Sequence, residues 1–335
     1  SLSMIDLRGK SVLVAGGAGF VGSAMARELL DDGARVVVYD NFLHGTLENL
    51  REVLPQIDVV SGDVLDCWRI SDTFKKFGTE YVFNCVGDTY VPAAYDVPRR
   101  FFSINVEGNL NLLTATKQFG VKRMLYVSST EVYGESKFDK VSEDSPLDPL
   151  NTYAVSKTAS DRLCFTFHKE HGTPVVIARI FNTYGPRETE PYVIPEIITQ
   201  LDKSNVVELG NIKAERDFNY VHETARWLID LLRSDVPDGE TVNVGSGRVY
   251  SIEWLAQTIA RVMGVDDLEI VQSPSRVRRL DIERFCCDNS KLQKYIDATP
   301  SVDIEDGLKR TVDWFRANGR RWSWESFVDG TSVLR

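Results

Sequence analysis

Ser11-Val-Leu-Val-Ala15 runs without a break into Gly16-Gly17-Ala18-Gly19-Phe20-Val21-Gly22. The apolar run reads as a buried strand, and the glycines leaving it open a helical pattern that continues through Leu30 and stops at Gly33. Arg35-Val-Val-Val-Tyr39 is a second apolar run and ends on Asp40. The result is a βαβ unit with glycines at Gly16, Gly19 and Gly22. Such a turn lets a pyrophosphate approach backbone N–H groups, at a helix N-terminus that favours its negative charge. Asp40 stands where an acid accepts from an adenosine ribose hydroxyl and repels a 2′-phosphate, which favours NAD over NADP. A glycine triplet alone also occurs in tight turns of unrelated α/β proteins. Strand before, helix after and acid at the next strand end together specify a dinucleotide site. Gly16, Gly19, Phe20, Val21 and Gly22 on the turn, with Asp40 and Asn41 at the strand end, are the candidate cofactor contacts.

The alternation of strands and helices continues along the chain. Val59-Val60 leads to Gly62-Asp63, a helical pattern covers Ile70–Phe77, and Tyr81–Val86 reads as the next strand. A long helix carries Asn105-Val-Glu-Gly-Asn109 and ends near Gly120. Met124–Ser128 is a strand from which Ser129-Thr130-Glu131-Val132-Tyr133-Gly134 departs. A proline-containing loop over 142–149 precedes a helix with Tyr153, and Pro174–Ile180 is the following strand. This predicts an α/β fold, a Rossmann-type doubly wound parallel sheet, whose ligands bind beyond the carboxyl ends of the strands. Past Pro186 the elements shorten and charge increases, and Thr241–Gly245 reads as one more strand.

Composition narrows the function classes. With 335 residues the chain can bury a full core plus an appendage. A hydrophobic share of 43% and a charged share of 26% place it among ordinary globular proteins. A net charge of -10 argues against nucleic-acid or anionic-membrane partners, while leaving room for an anionic small ligand at a local basic site. No apolar run approaches the roughly 20 residues of a membrane span. Ser1-Leu2-Ser3 before Met4 reads as a cloning remnant, and no signal-peptide pattern follows it. The five cysteines and four histidines have no metal spacing, and reduced thiols in a cytoplasm are the simplest expectation.

Tyr153-Ala-Val-Ser-Lys157 supplies the chemistry. On a helix, a tyrosine and a lysine four residues apart share one face. A free phenol, with a pKa of about 10, is a poor base at neutral pH. A fixed ammonium one turn away favours the phenolate, so the pair can take a proton from an alcohol while a cofactor takes the hydride. The same spacing also arises by chance on solvated helices, so the pair gains its meaning from the dinucleotide site.

Together, GGAGFVG at 16–22, Asp40, Gly62-Asp63, SSTEVYG at 128–134, YAVSK at 153–157, RIFNTYGPR at 179–187 and RDFNYV at 216–221 resemble the extended short-chain dehydrogenase/reductase family acting on nucleotide-diphosphate sugars. The resemblance implies an NAD domain over 1–182, with a returning segment near 214–245. It also implies a smaller C-terminal α/β domain over 183–335 that binds the sugar nucleotide. It implies NAD held through the whole turnover, with Asp63 and Val64 near the adenine. Tyr153 would be the base at the sugar 4-hydroxyl, Lys157 would bind the nicotinamide ribose, and Ser129 would bond the same sugar oxygen. Asn182 and Arg216 would reach the diphosphate, with Arg278 or Arg279 adding charge; a basic loop of this kind is otherwise simply solvated. A homodimer through helices around 100–118 and 153–170 is the family habit. Two departures stand out: Ala15 replaces a threonine, and Asn84-Cys85-Val86-Gly87 replaces a small apolar run.

The two residues after Ser129 separate the possible activities. In the 4,6-dehydratases of this family they are an acid partner and a glutamate base, and here they are Thr130 and Glu131. A 4-keto sugar has an acidified C5 hydrogen, so Glu131 would take it while Thr130 assists departure of the C6 hydroxyl. The stretch from Val193-Ile194-Pro195 to Arg216-Asp217-Phe218 resembles dehydratases of UDP-N-acetyl-hexosamines. The first alternative is a nucleotide-sugar 4-epimerase, which needs only Ser129, Tyr153 and Lys157. Decarboxylases of the family carry an arginine directly after the lysine, whereas Thr158 stands here. An idle NAD-sensing protein is the non-enzymatic alternative, and the intact Ser/Tyr/Lys set argues against it.

Overall fold

The apolar runs become strands whose side chains alternate between two buried faces. The computed structural model describes residues 4–87, 98–135, 138–188, 192–276 and 283–318. Seven strands, β1 Ser11–Ala15, β2 Arg35–Asp40, β3 Asp58–Ser61, β4 Tyr81–Asn84, β5 Arg123–Ser129, β6 Val175–Ile180 and β7 Thr241–Val244, form one parallel sheet in the order β7-β6-β5-β4-β1-β2-β3. The principal helices are α1 Phe20–Asp31, α2 Cys67–Phe77, α3 Gly108–Gln118, α4 Thr152–His171, α5 Val193–Leu201, α6 Val221–Arg233, α7 Ile252–Met263 and α8 Ile304–Ala317. Val12, Val14, Val36 and Val38 pack with α1 and α6 through Met25, Leu29, Trp227 and Leu228. Leu13, Ala15, Val37 and Tyr39 point the other way, onto Phe74 of α2, Leu112 of α3 and Cys164 of α4. A parallel sheet covered on both faces explains why these strands read as unbroken apolar runs. Strand order reverses between β1 and β4, and that reversal places the ligand crevice.

The sequence predicts a strand through Val86, whereas β4 ends at Asn84. Asn84 turns its Oδ1 to accept from the Val86 N–H (3.0 Å), while its Nδ2 donates to Asn109 Oδ1 (3.0 Å). That local bond competes with the ladder and ends it. Asn151 caps α4 by accepting from the Ala154 N–H (2.8 Å), which sets the phase of the helix carrying Tyr153 and Lys157. Beyond Pro186 a second apolar cluster gathers Ile197 and Ile198 of α5, Leu255 and Ile259 of α7, and Leu308 and Phe315 of α8. Val206–Leu209 and Glu269–Gln272 pair in parallel beside it. Among the described residues no helix is long and apolar enough to cross a membrane, and no group of three or more His, Cys, Asp or Glu side chains is placed to hold a metal ion.

Candidate active site

The glycine turn leaves β1 at the crevice. Gly16 has φ 77°, and a Cβ there would lie 2.9 Å from the Cys85 carbonyl carbon. A Cβ on Gly22 would sit 2.1 Å from the Gly16 oxygen, so helix and turn approach as only glycine allows. No side chain caps the start of α1, which leaves its first N–H groups for an anion. Gly16, Gly19, Phe20, Val21, Gly22, Asp40, Asn41 and Val64 line one cleft of about 940 Å³, its open mouth included, together with Cys85, Val86 and Gly87. These residues fit a dinucleotide. Asp63 sits beside that lining: its Oδ2 accepts from Asn41 Nδ2 (3.3 Å) and its Oδ1 from the Leu65 N–H (2.9 Å).

Asp40 does more than the motif suggests. Its Oδ2 accepts from the Ala18 N–H (3.0 Å) and its Oδ1 from the Phe42 N–H (2.8 Å), so it braces the glycine turn from the next strand. Burial pushes its carboxyl up from the ordinary range, against those two bonds. NAD is expected to bind this site roughly tenfold or more tightly than NADP, because a 2′-phosphate would meet a desolvated acid. Direct titration checks this, and tighter NADP binding would refute it. Asp40→Ala should narrow the gap while weakening NAD too, since Ala18 and Phe42 lose their acceptor.

The second cleft, about 2000 Å³ with its open mouth, is lined by Ser129, Thr130, Glu131, Tyr153, Lys157, Asn182, Arg216 and Arg276. Tyr153 and Lys157 are buried on one face of α4. The Tyr153 phenol donates to the Gly87 carbonyl (3.0 Å), reaching the rim of the cofactor cleft. Lys157 Nζ donates to the Val127 carbonyl (3.0 Å) and lies 4.8 Å from the Tyr126 ring centre. Ser129 Oγ accepts from the Glu131 N–H (3.1 Å), which starts a tight turn over Thr130–Tyr133 and sets Thr130 and Glu131 along the cleft wall. Thus Ser129, as placed, supports the turn.

Arg216 reaches the cleft from a short strand whose neighbour, Asp217, is fully buried. Asp217 accepts from the Ser246 N–H and hydroxyl and from the Gly247 and Cys287 N–H groups, fastening three segments beneath Arg216. Arg276 lines the cleft and pairs with Glu196 (3.4 Å) and Glu208 (3.8 Å). Arg278 and Arg279 lie outside the described residues. Two residues that motif reading missed, Glu188 and Tyr192, line both clefts together with Phe20, Val21, Cys85 and Val86, making the two one continuous crevice. Glu188 is 3% exposed, and its signal was its place directly after the Gly185-Pro186-Arg187 turn. Of the two departures from the motif, Ala15 is buried in the core under the sheet, and the run from 84 to 87 divides: Asn84 faces α3, while Cys85–Gly87 keep their places at the cleft.

A family model described as GDP-mannose 4,6 dehydratase matches residues 13–311. The chain belongs to that family. It is 32% identical to a dTDP-glucose 4,6-dehydratase of Actinoplanes sp. over 93% of this chain and 99% of the relative. The GDP-mannose 4,6-dehydratase family fold is also seen in DesIV, a dTDP-glucose 4,6-dehydratase from Streptomyces venezuelae crystallised with NAD: TM-score 0.86, 29% identity, 93% of this chain and 98% of that one. A UDP-N-acetylglucosamine 4-epimerase from Methanobrevibacter ruminantium is similar as well, with TM-score 0.83, 31% identity, and 93% and 99% coverage. The family reading from the motifs therefore holds, and the same backbone carries dehydratases and epimerases alike. Only the site separates them.

Proposed function

We propose that this chain is an NAD-dependent nucleotide-diphosphate-sugar 4,6-dehydratase acting through a 4-keto sugar. The observation that carries the reading is that Thr130 and Glu131 line the same cleft as Tyr153 and Lys157. Bound NAD supplies a hydride acceptor and later a donor. Tyr153 takes the O4 proton as the C4–H bond breaks, and the Lys157 ammonium favours the phenolate that does so. Glu131 takes the C5 proton acidified by the new ketone. Thr130 passes a proton to the C6 hydroxyl, which leaves as water, and the proton that Tyr153 took from O4 restores Thr130. Glu131 gives a proton back at C5, and with the hydride that bound NAD would return at C6 the net change is loss of one water.

In this reading the NAD contacts lie over residues 1–182 and the sugar nucleotide is bound mainly by residues 183–335, with a segment near 214–245 returning to the NAD domain. Asn182 and Arg216 are the diphosphate contacts in this reading, and Arg278 or Arg279 would add charge. The exposed Phe102, Leu110 and Val155, on the segments expected to pair, support a homodimer. Five free thiols support a cytoplasmic place, and the acidic charge supports a small-molecule partner over nucleic acid or membrane. A 4-epimerase is the second reading, favoured by the likeness to the Methanobrevibacter enzyme. Mass spectrometry of products from UDP-, dTDP-, GDP- and CDP-sugars tests the choice: a product lighter by one water supports dehydration, whereas unchanged mass with inverted C4 overturns it.

A further inference from the structure

Ser128, Arg179 and Asn243 stand in register across three neighbouring strands: Ser128 pairs with Arg179 on β5–β6, and Arg179 with Asn243 on β6–β7. Their side chains meet Asp161 of α4 and Tyr133 in one buried network. Arg179 grips Asp161 through two bonds, Nε to Oδ2 and Nη2 to Oδ1, each 2.9 Å. The Ser128 hydroxyl donates to Asp161 Oδ2 (2.6 Å). Arg179 Nη1 donates to the Tyr133 phenol oxygen (3.0 Å), and that phenol donates to Asn243 Oδ1 (2.6 Å). Asn243 is held in turn, its Nδ2 donating to the Val141 carbonyl (2.9 Å) and its N–H to Glu143 (2.8 Å).

The arrangement ties two halves of the site together. Tyr153, Lys157 and Asp161 follow at four-residue steps along α4 and are all buried. Thr130 and Glu131 lie between Ser128 and Tyr133, so the turn that carries them is anchored at both ends to the same Asp161–Arg179 pair. Gly134 closes the turn at φ 65°, where a Cβ would meet the Asp148 carbonyl oxygen at 2.0 Å, and Asp148 donates its N–H to the Val132 carbonyl (2.9 Å). Arg179 also lies 4.9 Å from the Tyr133 ring centre. Burial pushes the Tyr133 phenol up to about 12, so it stays a proton donor to Asn243 at working pH.

We propose that Tyr133 is a positioning residue for elimination: its phenol, held between Arg179 and Asn243, registers Thr130 and Glu131 against the sugar that Tyr153 oxidises. The proposal rests on the dehydratase reading above. A hydroxyl lost at the end of a short turn shifts the two residues it carries, while Tyr153 and Lys157 keep their own helix.

Rapid mixing of NAD-loaded enzyme with substrate separates the steps by following absorbance of the reduced cofactor. In Tyr133→Phe its appearance should stay within about twofold of wild type, while its decay slows roughly tenfold or more, as expected when a positioned base is displaced. Asn243→Ala, which leaves the turn's own sequence intact, should give the same split and guards against a Tyr133→Phe protein that folds poorly. Glu131→Gln run alongside distinguishes the failures. Stalling in Glu131→Gln without stalling in the other two overturns the positioning role alone. Equal slowing of appearance and decay also overturns it, since that marks general loosening. No stalling in any of the three overturns the dehydratase reading itself.

Discussion

Glu131→Gln is expected to oxidise its substrate and then stop. Oxidation at C4 relies on Tyr153 and Lys157 of α4, which the substitution leaves in place. Proton removal at C5 loses its base, and a positioned general base contributes roughly 10²–10⁴ in rate, or about 3–5 kcal/mol of barrier. Reduced cofactor should therefore accumulate on the enzyme, visible by absorbance, as elimination nearly ceases. Wild-type enzyme turned over in heavy water should place deuterium at C5 of the product. A 4-epimerase never breaks the C5–H bond; it would incorporate no deuterium and lose little activity with Gln at this position. Those two results together would move the assignment to epimerase.

Tyr153→Phe should lower sugar oxidation by roughly 10²–10⁴ while leaving NAD binding near wild type. The change removes the proton acceptor and almost no volume, and the phenol's bond in the structure is to the Gly87 carbonyl rather than to the glycine turn. Lys157→Ala should damage both oxidation and cofactor binding. Its ammonium favours the phenolate, and its Nζ is docked on the Val127 carbonyl at the floor of the cleft. Near-normal turnover by Tyr153→Phe would remove the phenol from the mechanism. Calorimetric titration of NAD into each variant separates loss of chemistry from loss of cofactor.

Much of this was legible in the order of residues. Apolar runs covered on both faces identified the strands of the parallel sheet, because a central strand has no wet side to impose alternation. Glycines at 16, 19 and 22 identified the dinucleotide turn, because backbone approaches as close as Gly22 to Gly16 exclude any Cβ. Tyr153 and Lys157 shared a face by helical geometry alone. What the sequence by itself determined was therefore local: periodicity, turn chemistry and spacing along one element, together with a family likeness carried by motifs.

Only the tertiary structure decided how those pieces answer one another. Asp40 reads as a ribose ligand, yet its oxygens also hold Ala18 and Phe42, since β2 runs beside β1. Asn84 leaves the cofactor cleft for Asn109 because α3 crosses beneath it. Glu188 and Tyr192 join the two clefts from beyond the motif, and Asp161, Arg179, Tyr133 and Asn243 meet from positions up to 110 residues apart. Hydrogen bonds of that reach depend on strand register and helix placement, which one-dimensional spacing does not encode. Local pattern identified the reacting side chains; long-range packing set their distances and partners.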